Sequence, residues 1–177
     1  MKYISTVVFL LISFCAAAQQ VPELKETDTS ALIKASYLYN FAKNVDWNDP
    51  QYKTGNFVIS IMGGSNLHKE LVTRYNTKQI GSQQIEIRKL SKTLNISSCH
   101  VLYVGSEYAD ILPDIAQALK NEPTLIVADQ IGALDKGAAL NFVIENKRLN
   151  FELNVNSATK RNLFVGSTLK SLATKIQ

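Results

Sequence analysis

FVISIM at positions 57–62, followed by Gly63-Gly64 and Ser65-Asn66, carries the pattern that decides the fold class. An apolar run rich in β-branched Val58, Ile59 and Ile61 reads as a strand buried on both faces. The two glycines supply a turn, and Ser65-Asn66 can cap a helical segment reaching about Tyr75. The unit is strand, turn, helix.

The same alternation continues downstream. A strand is expected from Gln84 to Leu90, where Ile85 and Ile87 alternate with polar residues, and another from Cys99 to Gly105. Ile111, Ile115, Ala118 and Leu119 then fall on one helix face between about Tyr108 and Lys120, with Pro113 tolerated in the first turn. Thr124 to Ala128 is the next apolar strand. Strands alternating with helices and apolar on both faces predict a mainly parallel sheet covered by helices.

The period changes at Leu140. Leu140, Phe142 and Ile144 alternate on one run and Leu149, Phe151 and Leu153 on the next, separated by Asn146-Lys147. That spacing predicts a β-hairpin, because Asn accepts the positive φ of a tight two-residue turn more readily than most residues. A short helix is expected from Ser157 to Asn162. Ser167 is expected to cap a final helix carrying Leu169, Leu172, Ala173 and Ile176 on one face.

Upstream of the deciding run, Ala31, Ala35, Leu38, Ala42 and Val45 recur at helical spacing and predict a helix from about Asp28 to Val45, capped by Asp28, Thr29 or Ser30. This helix carries aromatics around its circumference, Tyr37, Tyr39 and Phe41, with Trp47 just beyond it. Two readings stay open: a helix covered by two layers of its own domain, or one side left as a docking surface. The expected fold is thus a single α/β domain over residues 28–177, a mainly parallel sheet flanked by helices with a C-terminal β-hairpin.

Residues 1–18 read as a secretory signal, with Lys2 as the positive start, Val7 to Phe14 apolar, and Ala16-Ala17-Ala18 before cleavage at Gln19. Phe14 before Cys15 argues against a lipoprotein signal. The polar stretch 19–27, with Pro22, reads as a flexible mature N-terminus. No run approaches the ~18 apolar residues of a membrane span, so the exported mature protein is expected to be soluble, without membrane insertion once the signal is removed.

The 177 residues suit one domain, and 46% hydrophobic against 19% charged residues is ordinary for a packed core. Losing residues 1–18 removes Lys2, so the net charge of +4 becomes +3, from 18 basic and 15 acidic residues. Scattered basic residues with no aromatic-interleaved cluster argue against a nucleic-acid partner. Cys99 is the single cysteine of the mature chain, which excludes an internal disulfide and leaves burial or intermolecular pairing.

The chemistry-bearing residues do not converge. His68 and His100 lack carboxylates or thiols at metal-ligand spacing, so no metal site is expected. Cys99 and His100 are adjacent, and on a strand their side chains point to opposite faces, away from a thiolate–base pair. Gly63-Gly64-Ser65-Asn66 could cradle an anion at a helix start, but it lacks the Gly-x-Gly-x-x-Gly, Walker and nucleophile-elbow signatures, and a plain turn and cap is the simpler reading. Asp129, Asp135, Glu145 and Glu152 show no spacing that pairs two of them as acid and base. No catalytic residue and no cofactor are expected.

Ala35-Ser36-Tyr37-Leu38-Tyr39-Asn40-Phe41-Ala42-Lys43 followed by Trp47 resembles the opening helix of the YfiR family. Cys99 to Val104 is similar to that family's Cys-His strand, and Thr124 to Asp129 with Gly132 and Gly137 to its T-L-x-V-x-D-x-x-G segment. Asn141-Phe142, Arg148 to Asn154, Ala158, Leu163, Leu169 and Ala173 are similar to its closing hairpin and helix. The resemblance spans about residues 31–175. It implies a periplasmic α/β domain, often dimeric, that restrains the periplasmic region of an inner-membrane diguanylate cyclase, with relatives beside histidine kinases. It brings no catalytic residues. Two departures stand out: Gly137-Ala138 replaces the usual Gly-Gly, and Cys99 lacks the disulfide partner of some relatives.

The leading expectation is therefore a regulatory protein that binds a membrane sensor's periplasmic region, with Tyr37, Tyr39 and Trp47 as its anchors. The alternative is a small-molecule binding module whose pocket lies between Gly63–Asn66 and Gly105–Glu107, at the carboxyl ends of the strands. A hydrolase would need a convergent nucleophile and base that the sequence does not offer.

Overall fold

A computed structural model describes residues 26–177. The predicted signal peptide and residues 19–25 of the predicted flexible stretch lie outside the described residues. The chain runs through α1 (Glu26–Asn44), β1 (Val45–Trp47), a 3-10 turn (Pro50–Lys53), β2 (Phe57–Met62), α2 (Ser65–Tyr75), β3 (Gln79–Ile80) and β4 (Gln83–Leu90). It continues with β5 (Val101–Val104), a second 3-10 turn (Ser106–Tyr108), α3 (Leu112–Ala118), β6 (Leu125–Ala128), β7 (Leu140–Glu145) and β8 (Arg148–Leu153). Then come α4 (Val155–Thr159), β9 (Leu163–Val165), α5 (Ser167–Leu172) and β10 (Lys175–Ile176).

Among the described residues, eight of the ten strands form one sheet in the order β10-β8-β7-β6-β5-β2-β4-β3, and β1 pairs with β9 in a separate two-stranded sheet. The central part of the larger sheet, β4-β2-β5-β6-β7, is parallel. The β7–β8 hairpin is antiparallel, with Glu145 opposite Arg148 and Asn146 and Lys147 both at positive φ in the turn. This is the expected fold class: a mainly parallel sheet, helices on its faces and a C-terminal hairpin.

Strand alternation sorts the core into two layers. From β2, Phe57, Ile59 and Ile61 join the cluster beneath α1 and α2, while Val58 and Met62 join the one beneath α3. β5 divides likewise, Val101 and Tyr103 to the first and Leu102 and Val104 to the second. The sheet is thus a middle layer. α1 packs through Ala31, Ala35, Leu38, Phe41 and Ala42, all buried.

Several boundaries depart from expectation. α1 starts at Glu26, so Thr29 and Ser30 lie inside the helix rather than at its cap. The cap of α2 is Gly64, in the left-handed conformation, and neither Ser65 nor Asn66 precedes the helix. α4 starts before Ser157, because Asn154 caps it by accepting from the Ser157 amide at 2.8 Å. Residues 163–165 form β9, antiparallel to β1, a pairing continued by the Gly166 amide donating to the Asn44 carbonyl at 2.8 Å. A Cβ at Gly166 would lie 2.9 Å from that oxygen, so only glycine allows the approach. The final helix stops at Leu172, and Ile176 lies in β10 beside β8. Distant backbone partners, the Phe151 and Leu153 carbonyls, capture residues 174–177 there.

Candidate functional site

The chain leaves β2 toward β4 on one side and returns to β5 on the other, so the loops after β2 and β5 diverge and open a crevice at the sheet's carboxyl edge. Its volume is about 440 Å³ and its walls include Lys34, Gly64, Ser65, Tyr103, Glu107 and Asp129. The two loops singled out from the sequence, 63–66 and 105–107, do meet here. Gly63 and Gly64 both hold positive φ, and the Gly64 amide donates to Glu107 Oε1 at 2.7 Å. A Cβ at Gly63 would lie 2.6 Å from the Glu107 carboxyl carbon. The chain's own carboxylate therefore sits over the glycine turn.

The opposite wall is a polar network. Tyr103 donates from its hydroxyl to Asp129 Oδ2 at 3.1 Å, and the Lys34 ammonium of α1 is ion-paired with the same oxygen. Burial, reinforced by the Asp129 charge, pushes the Tyr103 hydroxyl far above its ordinary range, so it stays a donor. Asp129 thus ties α1 to the end of β6. Among the other carboxylates considered, Glu152 accepts from Asn141 Nδ2 at 3.3 Å, an interaction along the β7–β8 pairing. Lys34 carried no sequence signal, because an ion pair 95 positions apart leaves no periodicity.

Of the three aromatics expected to anchor a partner, two are half-buried on α1 and the third is inside the fold. Tyr37 is half-buried: it packs on Phe41, Phe142 and Phe151 and donates to the Leu149 carbonyl at 3.2 Å. Tyr39, also half-buried, lies 4.8 Å from Tyr75 of α2, with the Lys43 ammonium over its ring. Trp47 points inward. It is 4% exposed, meets Phe57 edge-on and donates from Nε1 to the Pro123 carbonyl at 2.7 Å. The expectation for Trp47 is corrected accordingly, since its apolar surface and its single donor are both used inside the fold. What α1 offers outward is a groove of about 490 Å³ that includes Leu32, Ile33, Tyr37 and Asn40, walled by Arg74 and Tyr75 of α2. Ile33 is 40% exposed there.

Cys99 and His100 diverge as expected. The Cys99 thiol enters the layer beneath α3, and burial pushes it up to about 11 despite hydrogen bonds with Ser60 and Thr124. The His100 ring stacks on Phe57 at 4.2 Å and meets Trp47 edge-on. Its Nδ1 accepts from the Val58 amide at 3.0 Å, and Nε2 donates to the Tyr52 carbonyl at 2.7 Å. That arrangement fits a neutral imidazole, and burial lowers the pKa of His100. Among the described residues, no three His, Cys, Asp or Glu side chains are placed to hold a metal ion, and no helix is long and apolar enough to cross a membrane.

The sequence profile of the YfiR/HmsC-like family matches residues 31–174. Among solved structures, a conserved domain protein from Vibrio cholerae O1 biovar El Tor strain N16961 is similar at a TM-score of 0.61 and 10% identity. The likeness covers 83% of this chain and 60% of that one, and at this identity it speaks for the fold alone. Comparison with curated proteins gives no match.

Proposed function

The chain belongs to the YfiR/HmsC-like family, and from that premise we propose that it is an exported periplasmic regulator that binds the periplasmic region of a membrane signalling protein, a diguanylate cyclase or a histidine kinase, and restrains it. The family match over residues 31–174 carries this reading. A physical feature supports it: α1 keeps apolar side chains, Ile33 above all, on its outer side in a groove shared with α2. A partner that covers Ile33 and the exposed parts of Tyr37 and Tyr39 gains by burying them, without any cofactor.

The test is capture of the periplasmic region of a membrane sensor encoded beside this protein, by purified protein carrying Ile33→Asp, Tyr37→Ala or Tyr39→Ala, each first checked for native circular dichroism. Loss of affinity by about 30-fold or more in at least one variant is expected of an interface anchor. Unchanged capture by all three, each folded, would remove this face of α1 from the interface.

The meeting of loops 63–66 and 105–107 favours a second reading, a small-molecule module at the carboxyl-edge crevice. There a ligand must displace Glu107 from the Gly64 amide. A metabolite screen by thermal shift in wild type and Glu107→Gln separates the readings: a hit whose stabilisation grows on substitution supports the crevice, and none does so if the protein acts by contact alone.

A further inference from the structure

Arg161 lies near the amino end of β7, away from the carboxyl-edge crevice. It is 6% exposed. Its Nη1 donates to the Ser157 carbonyl at 3.0 Å and to Ser157 Oγ at 2.9 Å, and its Nη2 donates to the Ala116 carbonyl at 3.2 Å. Nε is buried with no partner among the described residues, and Nη2 has a second hydrogen beyond its one bond. None of the ion pairs among the described residues involves Arg161. A guanidinium stays charged in proteins, and burial here only lowers its pKa from an already high value. Neutral acceptors answer part of its hydrogen bonding, while its charge has no counter-ion among the described residues.

A buried charge without a counter-ion is unusual enough to demand an explanation. The cavity beside it suggests one: it measures about 530 Å³ and is lined by Arg161, Lys136 and Lys160, with Asp135 the single carboxylate among the described residues. Asn154, Asn156 and Ser157 add neutral polar groups to the wall. Gly137 lets the neighbouring loop come close. At φ +99 its missing Cβ would lie 2.5 Å from that of Ala116, and Ser157 Oγ donates to its carbonyl at 2.8 Å. The volume falls within the range of small-ligand sites.

We propose that this cavity binds a small molecule through an oxyanion, a carboxylate or a phosphate, which neutralises the Arg161 charge at the cavity wall while Lys136 and Lys160 hold it at the rim. The site does not depend on the partner-binding reading given above.

Purified protein is titrated with inorganic phosphate, acetate and chloride at matched ionic strength, followed by calorimetry and by ¹H–¹⁵N spectra that include the arginine Nε–H signals. Saturable binding of phosphate or acetate but not chloride is expected, shifting the Arg161 Nε–H and the Gly137 and Ser157 amides. Phosphate binding alone assigns a phosphoryl ligand, and acetate binding alone a carboxylate. Lys136→Gln and Lys160→Gln, both on exposed side chains, should each weaken binding about two- to fivefold. Arg161→Lys should abolish saturation; if it unfolds, the lysine variants and the Nε–H shift decide. Absence of saturation, shifts confined to other regions, or full affinity in the double lysine variant would overturn the site.

Discussion

The Trp47 indole donates to the Pro123 carbonyl, 76 positions away, at 2.7 Å, and so fastens the corner after α1 to the segment entering β6. With Phe57 and His100 against the ring, the corner is a packed aromatic unit. A tryptophan beyond an aromatic helix looks like a surface anchor until its donor is traced inward. Loss of a partner in a Trp47 variant would therefore first report damage to the fold.

Trp47→Phe keeps most of the ring but strands the Pro123 carbonyl. Removing one partner of a buried hydrogen bond costs about 1–3 kcal/mol. Trp47→Ala adds a cavity and should cost about 3–5 kcal/mol. Urea titrations should show midpoints falling in that order, and a Trp47→Phe midpoint equal to wild type would contradict the buried bond.

Lys34 and Asp129 join α1 to the end of β6, with side chains 16% and 27% exposed. A double-mutant cycle with Lys34→Met and Asp129→Asn should give a coupling energy of about 1 kcal/mol, at the upper end for accessible pairs. Equilibrium unfolding measures it. A coupling indistinguishable from zero would mean that the pair adds nothing to the docking of α1.

His100 should make stability depend on pH. Burial, opposed in part by its bond to the Tyr52 carbonyl, lowers its folded pKa below the ordinary 6.5. The unfolded chain then binds the proton more readily. The contribution is complete above about pH 6.5 and is lost as pH falls from there through the folded pKa. His68, lowered by burial and then by Lys89, adds a shift of the same sign. Thermal midpoints between pH 8 and 5 should therefore fall in wild type, less steeply in His68→Gln and in His100→Gln. An equal slope in the His100 variant would remove that residue from the pH response.

Cys99 should be unreactive while the domain is folded. It is 1% exposed, and a thiol held at about 11 presents little thiolate at neutral pH. Labelling with an aromatic disulfide reagent should be slow in the native protein and immediate in denaturant, with no disulfide dimer formed on air oxidation. Native labelling at the rate of an exposed thiol would contradict this placement.

The long periodic elements were readable from sequence because local burial alone produces their patterns. Phe57–Met62 is buried along its length, and the 140–153 hairpin turns on Asn146 and Lys147 at positive φ. Shorter elements carried no such signal. β9 and β10 exist because β1 and β8 offer them backbone partners, a pairing that two or three residues cannot encode alone. The candidate site was legible in part. Loops 63–66 and 105–107 were visible as strand ends, whereas Lys34, Asp129 and Arg161 acquire meaning through groups brought near by folding.

Amino-acid order alone fixed the alternation of strands and helices, the hairpin and the family, since each rests on spacing along the chain or on residue identity. Which side chains face water was decided by tertiary packing. It turned Trp47 into core, set the Glu107 carboxylate over Gly64 and left the Arg161 guanidinium buried without a counter-ion among the described residues. The reason is physical: burial and charge pairing depend on distance in space, and residues 45 to 95 positions apart in the chain, such as Ala116 and Arg161 or Lys34 and Asp129, become neighbours only when the layers close.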